Sequence, residues 1–290
     1  MRVFNVKFLL VTALAENHGY SQLVNSLHEA LLEIGQEPTI SDQSVHAVDG
    51  AVDVNQLARE LQASKYDVVF SFSSFFGGAV IADGNSLFDH LGVKFLGWQV
   101  DHPIYAPNVL FTPMQNRHTV YSNHNHLRFG EAVRIEGAAT TMLLGAQTPK
   151  APPKDYKSRE WPVFVAASWN GVPERTWEAM EDSPAKRLLG GIVDWLMDDP
   201  EASLLDAFNG TADSLGLGAR LGVDREFDES IIEFLRAPLG YLRLTDRINI
   251  IRNLALSGVP LTICGGVARI PGRQTECHLY RTVGKLPRSS

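Results

Sequence analysis

Apolar residues recur along this chain with two alternating periods. The run "VKFLLVTA" (6–13) predicts a buried strand. After it Leu23, Leu27, Ala30, Leu31 and Ile34 fall at helical spacing, with Gly35 as a natural stop. A second strand is expected near 38–41 and a helix over about 55–64, carrying Leu57, Ala58 and Leu61. "YDVVFSF" predicts a third strand, closed by the small-residue turn "SSFFGG". A helix over about 85–91 ends at Gly92, and "VKFLGWQV" is the fourth strand. A short strand near "HTVYS" and a helix after it complete the unit. Parallel neighbours need a crossover, and a helix between successive strands supplies it. The prediction is an α/β fold with a Rossmann-like, doubly wound parallel sheet, followed by a helical segment and the start of a second α/β half.

The period changes after "QTPKAPPKDYKSR", which is rich in proline and lysine and reads as a linker. "WPVFVAASW" predicts one more buried strand. From Glu174 to Ala237 the pattern is mostly helical, in the pieces "RLLGGIVDWLM", "SLLDAFN" and "ESIIEFLR". Thr245 or Asp246 can then begin a helix that Gly258 ends, before "PLTIC" opens as a strand into Gly265 and Gly266. The expected organisation is an N-terminal domain at 1–147, a linker at 148–160, and a helical insertion with an incomplete C-terminal α/β domain at 161–290.

With 290 residues, 44% apolar and 20% charged, two domains can each bury a core. A net charge of −7 with no Lys/Arg block argues against nucleic acid as a partner. Cys264 and Cys277 form no CxxC pair, which suits a reducing, cytoplasmic setting. The first fifteen residues imitate a signal peptide, with Arg2, Lys7 and "ALA" before Glu16. The alternative of a secreted protein follows if they are one, although the apolar stretch is short and continues into a strand–loop–helix unit. No stretch reaches the roughly 20 apolar residues of a membrane span.

Open α/β sheets bind ligands outside the carboxyl ends of their strands. That rule selects Glu16, His18 and Gly19 in "ENHGYS", Ser73 and Ser74 in "SFSSFFGG", Asp101, His102 and Tyr105 in "DHPIYAP", and Gly265 with Gly266. The helix after "ENHGYS" would point free N–H groups at an anion, unless the segment is only a polar turn capped by Ser21. The serine hydroxyls could bond sugar or phosphate oxygens, though no GxGxxG or Walker loop is present. Aromatic packing at a domain interface is the alternative there. Asp101 and His102 stand out because an aspartate at the end of an apolar strand is costly to bury unpaired. His102 could act as acid or base and Asp101 as base on a hydroxyl, with Pro103 holding His102 extended. Alternatively Asp101 caps a turn and His102 bonds the backbone. "HNH" at 124–126 would place two imidazoles on one face of a strand, yet no acidic or cysteine ligand stands nearby at a helpful spacing, so neither a metal nor another cofactor is expected.

On "YDVVFSFSSFFGG", "LGVKFLGWQVDHP" and "DRINIIRNLALSGVPLTICGG", the chain resembles the glycosyltransferase-like proteins of the spore-maturation CgeB type and related bacterial families of GT-B architecture. Asp101, His102 and Pro103 match the family's element after a strand of the N-terminal half, and Arg247 to Gly266 match its helix–strand–glycine turn. The resemblance implies two facing Rossmann-like halves, acceptor contacts in the first and a nucleotide-sugar donor in the second, with Gly265 and Gly266 at the diphosphate. It implies transfer without a bound metal, helix dipoles and basic side chains stabilising the departing diphosphate. The donor half of such proteins continues well beyond the position of Gly266, so the resemblance implies a fragment or a shortened relative. Two functions follow: sugar transfer to an acceptor hydroxyl, or a non-catalytic module that binds a sugar or nucleotide, or docks a protein partner through Phe75, Phe76, Trp98 and Tyr105.

Overall fold

The computed structural model describes residues 5–13, 18–43, 53–143, 145, 155–158, 163–166, 173–257, 261–265 and 278–282. They divide into two compact units. The first takes Met1–Gln147, Ser203–Asn209 and Gly218–Glu233, and the second Thr148–Ala202, Gly210–Leu217 and Phe234–Ser290.

Six parallel strands build the first unit: β1 (Lys7–Thr12), β2 (Glu37–Asp42), β3 (Val68–Phe72), β4 (Lys94–Gln99), β5 (Arg117–Tyr121) and β6 (Ala138–Thr141). Their order is β2-β1-β3-β4-β5-β6. The helices are α1 (His18–Glu33), α2 (Val54–Ala63), α3 (Leu87–Leu91), α4 (Pro107–Phe111) and α5 (His124–Ala132). The fold is a doubly wound α/β sheet. The order in which strands are laid down reverses between β1 and β3, which are parallel neighbours.

Alternation along the strands fills both faces of the sheet. Leu9, Val11, Val69 and Phe95 pack with Leu57 and Leu61 of α2 and Leu87 and Phe88 of α3. Leu10, Phe70, Phe72 and Trp98 point the other way, onto Leu23, Val24 and Leu27 of α1. Each fully buried leucine or phenylalanine contributes about 1.5–3 kcal/mol. Helix starts are fixed by side chains. Asp53 accepts from the N–H groups of Asn55 and Gln56, Ser86 from Phe88, and Asn123 from His126.

That last cap puts His124 and His126 on the helix expected after "HTVYS", and not on the strand face that a metal-binding "HNH" would need. Asn123 closes the chain into α5, and two residues apart on a helix face different ways. β6 was not foreseen, because "AATT" is exposed at all four positions and gives no apolar signal.

In the second unit β7 (Val163–Ala166) runs parallel to β8 (Leu261–Gly265), which pairs antiparallel with β9 (His278–Thr282). β9 was not foreseen, because the sequence after Gly266 is polar and basic and carries no apolar run. The linker range 148–160 lies outside the described residues except for one turn at Tyr156–Ser158. The helical pieces are α6 (Pro184–Asp198), in the second unit, and α7 (Leu204–Ser214) and α8 (Arg225–Leu256), whose residues divide between the two units. α8 is one 32-residue helix passing through Pro238, not two helices with a second start at Thr245 or Asp246. Glycines let α6 and α7 approach closely: a Cβ on Gly191 would overlap Thr211, and one on Gly210 the ring of Trp195. No helix among the described residues is long and apolar enough to cross a membrane.

Candidate functional site at the carboxyl rim of the sheet

The strand order sets the loops after β1, β3, β4 and β5 side by side at one rim. Of the first, Glu16 lies outside the described residues, while His18 and Gly19 open the backbone of α1. Gly265 ends β8 in the second unit, and Gly266 lies outside the described residues.

The β3 loop is tight. Ser73 and Ser74 both take left-handed backbone conformations, with φ of 51° and 54°. Such conformations cost a non-glycine residue about 1–2 kcal/mol. They are held by the Ser73 N–H, which donates to the Trp98 carbonyl at 2.6 Å, and by a turn in which the Gly77 N–H donates to the Ser74 carbonyl at 2.7 Å. Ser74 is 1% exposed, and its hydroxyl has no hydrogen-bond partner among the described residues. Gly97 lies under it, where any Cβ would overlap the Ser74 Oγ. Trp98 Nε1, also buried, lacks a partner as well. The cavity that Ser74, Gln99, Thr119 and Tyr121 line holds only about 10 Å³, near the lower limit for one water. A ligand at this rim would therefore lie outside the serine pair. Ser74→Gly removes both the left-handed penalty and the orphaned hydroxyl, and is expected to raise stability by about 1 kcal/mol. A urea midpoint that stays put or drops would show the loop to be relaxed as it stands.

At the β4 loop, Asp101 is half-buried and His102 is the cap of a short 3₁₀ turn at Pro103–Tyr105. With φ −56° and ψ 134°, His102 has the extended backbone that a following proline favours. Its Nδ1 accepts from the Ile104 N–H at 3.2 Å. The tautomer assigned by that bond puts the ring proton on Nε2. The ring sits edge-on to His126 at 4.9 Å and to Phe129 at 4.7 Å. Burial, aided by the neighbouring His126, pushes its pKa down to about 3. Near neutral pH His102 is an uncharged donor and a poor base.

The β5 loop adds two residues that the strand-end search passed over. Ser122 donates its hydroxyl to the Val100 carbonyl at 2.9 Å and stands 3.5 Å from His126 Nδ1. Burial lowers the His126 pKa, and Asp101 opposes that shift. The signal for this pair was the Asn123 cap directly after an apolar strand. Tyr105, half-buried, is tied back by its N–H, which donates to the His102 carbonyl at 3.1 Å. The rim thus assembles Asp101, His102, Ser122 and His126 as one polar cluster. Among the described residues no three His, Cys, Asp or Glu side chains are placed to hold a metal ion.

No family model matches the chain, and no curated protein matches it. Among solved structures it shows a likeness to a LacI family transcriptional regulator from Arthrobacter sp. FB24 in complex with lactose. The two are 11% identical, with 82% of this chain and 91% of that one covered and a TM-score of 0.27. A TM-score that low carries no argument about either protein's ligand.

Proposed function

We propose that the first unit is a binding module for a sugar or nucleotide, held by its hydroxyls at the carboxyl rim beside Asp101. The observation that carries this reading is the state of His102. Its Nδ1 is engaged by the Ile104 N–H and its proton affinity is depressed, so the imidazole keeps a hydrogen-bond donor at Nε2, in the same loop as the Asp101 carboxylate. A neighbouring donor and acceptor match the vicinal hydroxyls of a sugar or ribose. They do not supply a titrating base near neutral pH.

Glycosyl transfer from a nucleotide-sugar donor remains the second reading, and Asp101 favours it. A half-buried carboxylate at the rim could take the proton of an acceptor hydroxyl, with His102 as donor rather than base. Gly265 and Gly266 would serve the donor diphosphate in that reading.

Calorimetric titration of the full chain with UDP-, GDP- and TDP-sugars, the free nucleosides and the free sugars tests both. Binding of at least one is expected. Asp101→Asn should weaken it about tenfold or more, as befits loss of a charged acceptor, in a chain that still unfolds cooperatively. Sugar transfer or donor hydrolysis by the native chain, absent in Asp101→Asn, would favour the enzyme over the module. No binding to any of these compounds would overturn both readings.

A further inference from the structure

We propose that a second, separate cavity of the first unit binds a free amino acid with an apolar side chain. The cavity opens at the opposite end of the sheet from the rim, against the segments that enter β5 and β6, and measures about 220 Å³. That is below the roughly 300–1,000 Å³ of pockets for drug-sized ligands. It suits a single small metabolite.

Its walls are apolar, from Leu110, Phe111, Pro113, Val133 and Val223, while its charges come as two cations and two anions: Arg134 and Arg225, Glu136 and Asp228. Three of the four are already engaged. Arg225 pairs with Glu229 at 3.1 Å and donates to the Phe111 carbonyl. Glu136 accepts from the Met114 N–H at 3.0 Å, and both oxygens of Asp228 accept from the Gly222 N–H at 3.0 Å. Arg134 alone presents a guanidinium without a hydrogen-bond or ion-pair partner among the described residues, and it acts on Asp228 only through space.

The backbone at Arg134 makes its side chain more telling. α5 ends in a Schellman turn, the Ile135 N–H donating to the Gly130 carbonyl at 3.0 Å and the Arg134 N–H to the Glu131 carbonyl at 3.1 Å. Arg134 occupies the left-handed position of that turn, with φ 56°. Glycine is the ordinary residue there, so the arginine is tolerated against the backbone's preference.

An exposed guanidinium with no protein partner among the described residues offers its planar fork to a carboxylate. Two carboxylates with lone pairs to spare fit an ammonium. The balanced charge disfavours a phosphate dianion, which Glu136 and Asp228 would repel. Together with the apolar walls, these features describe a zwitterion with an aliphatic or aromatic side chain.

The test is calorimetry and thermal shift of the full chain with leucine and phenylalanine, alongside N-acetyl-leucine, leucinamide and inorganic phosphate. Saturable leucine or phenylalanine binding with Kd of about 1 mM or tighter is expected, weakened about tenfold or more when either end of leucine is masked. Arg134→Gly should keep or raise the melting temperature, because it relieves the turn, yet lose amino-acid binding. Arg134→Asn, which also tolerates the left-handed region, should do the same. Failure of both amino acids to bind overturns the proposal. So does undiminished binding by Arg134→Gly, or phosphate or N-acetyl-leucine binding as tight as leucine's. None of these outcomes bears on the sugar and nucleotide titrations at the rim.

Discussion

Gly222→Ala is expected to lower the free energy of unfolding by about 3–5 kcal/mol, the largest effect of any single methyl group added to the first unit. Two penalties combine at this position. Its φ is +82°, a region alanine enters only with strain, and a Cβ there would overlap the Ala132 carbonyl oxygen. The loop could yield only by moving the Gly222 N–H away from Asp228, a carboxylate 3% exposed, whose two oxygens both accept from it. Burial already holds the proton affinity of that carboxylate above the ordinary range, and withdrawing the N–H would raise it further. Gly84→Ala is the control, because Gly84 has φ +83° but nothing within 4 Å of the added carbon. It isolates the backbone penalty, about 1–2 kcal/mol. Urea unfolding of the two variants beside the native chain measures the difference. Equal losses in both would show that the Ala132 overlap carries no weight.

The second large effect is acid lability from the rim. At pH 7 His102 is neutral whether the chain is folded or unfolded. As the pH falls below 6.5 the unfolded chain binds a proton there, while the folded chain resists until about pH 3. Stability therefore falls with pH in that window, by about 2 kcal/mol between pH 7 and pH 5 from this one imidazole. His126 acts in the same direction, with Asp101 working against it. His102→Asn retains an acceptor for the Ile104 N–H, since asparagine is a good cap, but removes the titration. Its stability should decline less steeply over the same range. Parallel declines for the variant and the native chain would remove His102 from the account.

Most of the sheet could be read from residue order because strands buried on both faces declare themselves. "VVFSF" and "KFLGW" are dense in large apolar side chains, and each is followed by a small or polar turn. Where tertiary context outweighed composition, the reading failed. β6 lies at the edge with all four residues exposed, so it had no apolar run to reveal it. Thr245 and Asp246, residue types that often begin helices, suggested a new start where α8 runs on without interruption.

The candidate site was legible in its location and less so in its chemistry. Asp101 and His102 do lie at the rim, and the alternative that His102 bonds backbone was correct in kind, although the partner is an N–H and not a carbonyl. That the ring stays neutral depends on His126 and Phe129, which fold onto it from α5. Nothing within "DHPIYAP" encodes that contact. The left-handed conformation of the two serines had no signal in the sequence, since small polar residues look alike whether they move or are clamped. The second cavity was missed because the search followed carboxyl strand ends, and its distinguishing residue, Arg134, is conspicuous only once its φ is known.

One consequence of the strand order concerns the growing chain. Lys7–Thr12 leaves the ribosome ahead of both strands that flank it in the sheet, β2 and β3, which begin only at Glu37 and Val68. Until both have been synthesised, "FLLV" is a sticky ribbon with two open sides, the kind of segment that chaperones shield during translation. Nascent molecules stalled before Val68 should therefore be the most prone to clump.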